Sequence, residues 1–389
     1  MEYSKYSSRK FRLGSLTKQF TATLILLLQQ DGKLHIENPI ATYLPDAPKS
    51  WEKITLANLL NHTSGIPNFT SDKEFGTWRM SSHTPAEEIG FFRDKPLEFE
   101  PGSKFSYSNS NYEVLGVVIE KLGDKSYGDQ LRERIFEPLG MHDSGLDQDD
   151  LILSKRAQGY SPSKNGLAPA RSESMSVPWA AGSIYSTTAD LLRWERGLFG
   201  GKILNEASLT AMTTPGKRNY GMGVEVSQID GDRVVTHGGG IEGFNTYLSY
   251  VPARKITVVV LSNVNGGAPD SMGSQLLTVA LGKSVILASD RKPFPIRTQD
   301  LEKFVGVYDL APIPLNLTIA VSGNTITSQI TKQPSMEMMY QGEQGGRFHF
   351  YLPKANGEVE FIPDATGAVD SLVLHLSGDH PAKRLATQK

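Results

Sequence analysis

The chain has 389 residues and no cysteine, with 40 basic residues against 42 acidic ones, a net charge of −2 and 39% hydrophobic content. That balance excludes a general polyanion binder, since nucleic acid demands a concentrated basic excess. The missing cysteines exclude disulfides, thiolate chemistry and thiolate-held metals, and the length allows two or three domains.

The start, MEYSKYSSRKFRLGS, is basic without an apolar run behind it, so no signal peptide is read here and the compartment stays open. The longest apolar run, Leu24 to Leu28, is too short to cross a bilayer, so no transmembrane segment is expected. Residues 15–30 (SLTKQFTATLILLLQQ) read as a helix stopped by Asp31-Gly32, apolar on nearly every side in its second half and therefore central. Shorter helices are expected over 55–62, 110–122, 126–136, 187–198 and 269–283, with 146–180 as loop. Strands are expected over 221–229, 232–236, 245–251 and 256–262, the last two joined by Pro-Ala-Arg-Lys as a hairpin. The prolines around Phe294 mark a linker, 291–300, between a domain over 1–290 and another over 301–389. That second region holds seven short strand-like runs (VGVYDL, LNLTIAV, NTITSQI, MEMMYQ, RFHFYL, EVEFIP and SLVLHLS), the pattern of a small antiparallel β-barrel.

Ser-x-x-Lys occurs five times, at Ser7/Lys10, Ser15/Lys18, Ser50/Lys53, Ser161/Lys164 and Ser289/Lys292. Only Ser15/Lys18 opens a strongly apolar helix. Three residues along a helix put both side chains on one face, where free N–H groups favour developing negative charge. A lysine at the edge of a buried helix loses hydration, which lowers its pKa toward a value useful for a base. Taken alone, the pair is equally a capping serine near a surface lysine. Tyr107-Ser108-Asn109 offers a phenol for proton transfer and an amide for a substrate carbonyl from one turn, or else an aromatic turn with an Asn cap. His237-Gly238-Gly239-Gly240 follows the strand DRVVT. Glycines there let a substrate backbone approach and leave an N–H as an oxyanion donor, although a Gly-rich hairpin would read the same way.

The three motifs in this order, with flanks such as TLANLLNHTSGIP, IFEPLGMHDS and AAGSIYSTTADLLRW, resemble the serine β-lactamase and penicillin-binding-protein family over residues 10–285. That family includes class C β-lactamases, D-alanyl-D-alanine carboxypeptidases, D-aminopeptidases and esterases. The resemblance implies a mixed α/β domain of the β-lactamase/transpeptidase kind, with a central antiparallel sheet flanked by helices. The tail resembles the lipocalin-like barrels that follow such hydrolases. It further implies that Ser15 becomes the acyl ester, and that Lys18 and Tyr107 share the proton transfers. The N–H groups of Ser15 and Gly240 would form the oxyanion hole. Asn109, His237, Gly238 and Gly239 would contact substrate, and His62 would buttress the active-site helix. No metal or cofactor is expected, and the substrate would be a small ester, amide or peptide.

Two departures qualify the resemblance. His237 stands where β-lactamases carry a lysine, and a mostly neutral imidazole supplies little charge for a substrate carboxylate. That points away from efficient β-lactam hydrolysis. Only fourteen residues precede Ser15, fewer than in the family, whose extra strands pair with the equivalent of 256–262. An open edge there invites a homo-oligomer. Related proteins are often periplasmic or extracellular. A Ser-His-Asp α/β-hydrolase is disfavoured because no G-x-S-x-G occurs, and a metal hydrolase because the eight histidines are scattered without H-E-x-x-H. A binding or sensor protein with little turnover remains the alternative.

Overall fold

The computed structural model describes residues 8–311, 315–355, 357–376 and 379–385. The basic start, Ser7 and Ser377 lie outside them. The chain divides into two compact units, residues 1–280 and 281–389.

The first unit is a mixed α/β domain built around the helix Thr17–Gln30, every residue of which from Thr17 to Leu28 is buried. Ser15 sits just before it, in the single 3-10 turn Gly14–Leu16. The helices Asn109–Gly123 and Trp179–Gly182 pack on the central helix. Contact is close because Gly116 has no side chain: a Cβ there would lie 2.5 Å from the Trp179 ring and 2.7 Å from the Ala180 methyl. The main sheet is antiparallel, in the order Glu225–Ile229, Asp232–Ile241, Phe244–Val251, Ile256–Ser262. Among the described residues the outer edge of Ile256–Ser262 is unpaired.

Several boundaries differ from expectation. The strand expected over 232–236 continues through the glycines to Ile241, because those glycines pair in register with Tyr247, Thr246 and Asn245. The helix expected over 126–136 is α-helical only to Leu131, then widens into a π-turn over Arg132–Phe136. The change comes just ahead of Pro138, which has no N–H to continue the ladder. The expected loop 146–180 contains an exposed hairpin, Tyr160–Ser163 with Gly166–Pro169, and the first half of the helix Trp179–Gly182. Phe11–Arg12 also pairs with Ile184–Ser186, which anchors the chain just before Ser15.

The second unit is a closed antiparallel barrel of eight strands. Seven match the expected runs. The eighth, Asp379–Arg384, closes the barrel by pairing Tyr308 with Arg384 and Asp309 with Lys383. It carries no strand signal, since DHPAKR is polar, buries only Ala382 and includes a proline that cannot donate to a ladder. Phe304, Phe350 and Phe361 meet inside with ring centroids 4.7–5.4 Å apart, and side chains of this size fill a barrel of eight strands.

Gly116→Ala is predicted to destabilise the protein by about 1–3 kcal/mol through overpacking. Urea unfolding should show a lower midpoint with an unchanged slope, whereas an unchanged midpoint would mean that the two helices are not in fixed contact.

Candidate active site

Lys18 is fully buried in the first turn of the central helix. Its Nζ lies 3.0 Å from Ser15 Oγ, 2.8 Å from Asn109 Oδ1 and 2.9 Å from the Ala181 carbonyl oxygen. Burial lowers its pKa to about 7, opposed by the nearby Glu113. The geometry suits a neutral amine. Two carbonyl oxygens can only accept, so they take its two N–H groups, and the lone pair is left for the Ser15 proton. Ser15 itself stays partly exposed.

The ledge that holds Lys18 is itself fixed. The Ala181 N–H donates to Glu113 Oε1 at 3.3 Å, and the Asn109 amide nitrogen donates to Asn68 Oδ1 and Thr70 Oγ1 at 3.2 and 3.3 Å. Burial pushes the pKa of the Glu113 carboxyl well above the usual carboxylate range. Neither Glu113 nor Ala181 carries a sequence signal, and only the packing of two helices brings them to Lys18.

Tyr107 shares a hydrogen bond with Ser15, and the Lys18 Nζ lies 4.9 Å from its ring centroid. The ring is partly exposed, yet its packed surroundings hold the phenol above its ordinary pKa. Desolvation in the packed turn outweighs the hydrogen bond with Ser15, which pulls the other way. The turn is braced by His62, fully buried at φ +58°. Its Nδ1 accepts the Ser108 N–H at 3.3 Å and its ring stacks 4.2 Å from Tyr107. His62 therefore supports the tyrosine turn rather than the nucleophile's helix, and burial keeps it neutral.

The glycine strand differs from expectation in a physically specific way. Counted from the closing pair Ile241–Phe244, an antiparallel ladder turns the Gly240 N–H away from the neighbouring strand. Gly14, at φ +57°, lies against the Gly240 backbone, where a Cβ would come within 2.9 Å. The Ser15 and Gly240 amides thus stand on adjoining segments. Gly239 makes room for protein, not for substrate: a Cβ there would lie 2.0 Å from the Leu13 carbonyl oxygen. Thr246 Oγ1 donates to that same oxygen at 2.7 Å. A Cβ on Gly238 would lie 3.1 Å from Asp270.

His237 is buried as well, at 3% exposure. Its Nδ1 is 2.5 Å from the Gly238 carbonyl oxygen, so that nitrogen carries the proton, and Nε2 accepts from Tyr220 Oη at 2.9 Å. Burial lowers its pKa to about 4. It belongs to an aromatic cluster with Tyr107 and Tyr220 rather than to an open wall.

Ser15, Asn109 and Gly240 line one cavity of about 340 Å³, whose charged lining residues are Arg79, Glu173 and Glu242. The fold is that of a β-lactamase/transpeptidase-like protein. Residues 8–280 match the Beta-lactamase family, and the chain belongs to it.

Penicillin-binding protein 4* of Bacillus subtilis (strain 168) is 28% identical over 402 residues, covering 95% of this chain and 86% of that protein. A D-stereospecific amidohydrolase from Streptomyces sp. matches in structure with a TM-score of 0.65 and 29% identity, over 71% of this chain and 88% of the other. The octameric penicillin-binding protein homologue from Pyrococcus abyssi matches with a TM-score of 0.66 and 25% identity, over 96% and 88%. Other curated relatives are longer, and this chain spans 63% and 53% of the length of two of them. Among the described residues no helix is long and apolar enough to cross a membrane.

A carboxyl whose folded pKa is raised contributes stability at low pH that is lost as pH rises. Glu113→Gln, a neutral stand-in for the protonated acid, should therefore gain stability over the wild type as pH rises from the usual carboxylate range toward neutrality. Urea unfolding at both ends of that window checks the sign. A difference that does not grow with pH would mean that Glu113 is ionised in the folded protein.

Proposed function

We propose that the chain is a serine hydrolase that cleaves small carboxylic esters or amides through an acyl-enzyme at Ser15. One observation carries the reading: the buried Lys18 amine sits 3.0 Å from Ser15 Oγ with its two N–H groups committed to carbonyl oxygens. In this scheme the Lys18 lone pair removes the Ser15 proton as Oγ attacks the acyl carbon. The Ser15 and Gly240 N–H groups stabilise the developing oxyanion. Tyr107, held in its phenol form by burial, gives its proton to the leaving group and recovers one from the Lys18 ammonium. Water then hydrolyses the ester by the same steps reversed. Similarity to an amidohydrolase and to penicillin-binding proteins supports an acyl-transfer site. The neutral His237 argues against dependence on a substrate carboxylate.

Wild-type protein is expected to hydrolyse p-nitrophenyl acetate and butyrate, with nitrocefin turned over slowly. Ser15→Ala should lower the ester rate by roughly 10³-fold or more, and Lys18→Ala by about 10²–10⁴-fold. Turnover that survives Ser15→Ala would place the nucleophile elsewhere. A folded wild type without turnover would favour a binding or sensor protein instead.

Self-association is a second part of the proposal. Strand Ile256–Ser262 leaves an edge unpaired among the described residues, and the Pyrococcus abyssi homologue is octameric. Sedimentation as a monomer at every concentration would remove it.

A further inference from the structure

The wall of the Ser15 cavity carries three charged side chains. Arg79 follows the short helix Phe75–Trp78, and its guanidinium lies 5.7 Å from the Phe75 ring centroid. Glu242 occupies the hairpin turn two residues after Gly240. That turn is rigid: Gly243, at φ +82°, donates to Asn265 Oδ1 at 2.7 Å, and a Cβ on it would lie 2.6 Å from Gly159 Cα. Glu173 comes from the segment before the helix Trp179–Gly182, with its side chain 7% exposed.

These groups are unequally paired. Arg79 donates to Glu242 at 2.5 Å, while Glu173 stands 3.9 Å from the guanidinium. The longer separation is an ion contact without a hydrogen bond. A backbone N–H from Glu242 reaches Glu173, which leaves most of its lone pairs unused. The wall therefore has a committed cation and a carboxylate in excess. A substrate carboxylate would have to displace Glu242 from Arg79, whereas a substrate ammonium finds an acceptor ready.

We propose that Glu173, with the Arg79–Glu242 pair beside it, selects substrates carrying a protonated amine on the acyl side of the scissile bond. The acyl side follows from the layout. Tyr107, the donor to the leaving group, belongs to the aromatic cluster with His62, Tyr220 and His237, and the three charged residues line the cavity itself. This inference rests on the acyl-enzyme reading of Ser15 and narrows it to amino-acyl esters and amides with a free amine.

The test uses three benzyl esters with one leaving group: alanine benzyl ester with a free amine, its N-acetyl form and its N-succinyl form, each in both enantiomers. Benzyl alcohol release is followed by chromatography just below neutrality, where an α-amino group is protonated. For the preferred enantiomer, kcat/KM with the free amine should exceed the N-acetyl value by about tenfold or more, with the N-succinyl ester slower still. Glu173→Gln should bring the first ratio toward one. Glu242→Gln should free Arg79 and raise the N-succinyl ester relative to the others. Thermal unfolding verifies that each variant folds, and each ratio is internal to one protein.

A wild-type ratio near one, a preference for the carboxylate, no turnover of the free-amine ester, or a ratio unmoved by Glu173→Gln overturns the proposal. p-Nitrophenyl acetate separates the two levels. Ser15-dependent turnover of that ester with a flat amine ratio overturns this inference alone. A wild type inert toward it overturns the acyl-enzyme reading as well.

Discussion

One buried amine organises the first compact unit. Lys18 has no exposed surface, and a fully buried lysine is stable only where burial shifts it toward neutrality and acceptors take its N–H groups. Each acceptor must then be fixed in turn. Asn109 is held by Asn68 and Thr70, and Ala181 by Glu113. The close approach of the helix Asn109–Gly123 to Trp179–Gly182, made possible at Gly116, brings both acceptors to the same point. Core packing and the approach of Lys18 to Ser15 are thus one constraint, since the packing of two helices fixes the 3.0 Å between Lys18 Nζ and Ser15 Oγ.

A second constraint acts on the opposite side of Ser15. The segment Leu13-Gly14-Ser15 runs against the glycine strand so tightly that a side chain at Gly239, or a Cβ at Gly14, would collide with backbone. That contact sets the Gly240 backbone against the turn that carries Ser15. In the proposed scheme that matters because oxyanion donors are effective when they are held before charge develops. Two backbones locked through missing side chains would provide such a hold, with Thr246 tying the Leu13 carbonyl oxygen in place.

Much of this was legible in the amino-acid order. Ser15, Lys18, Tyr107 and the glycine run could be found from spacing and from the apolar helix behind them, because motif spacing survives in one dimension. The acceptors could not. Ala181 contributes a carbonyl oxygen that every residue has, and Glu113 reads as one more acidic residue on an amphipathic helix. His237 and Gly239 were found for a reason the fold revises: they lie where expected along the chain, but they face Tyr220 and Leu13 rather than open space. The eighth barrel strand escaped because register and barrel closure, not hydrophobic alternation, hold DHPAKR in place. In each case the missing information lay in a partner distant in sequence.

The most direct measurement is the rate of Ser15 modification by a fluorophosphonate probe as a function of pH, with the modified residue located by peptide mapping. A base whose pKa is lowered to about 7 is active in its deprotonated form, so the rate should rise with pH through that value and level off above it. Labelling should fall on Ser15 alone and be lost in Lys18→Ala. Modification of another serine, or a rate at Ser15 that keeps climbing toward the ordinary lysine pKa, would contradict the account.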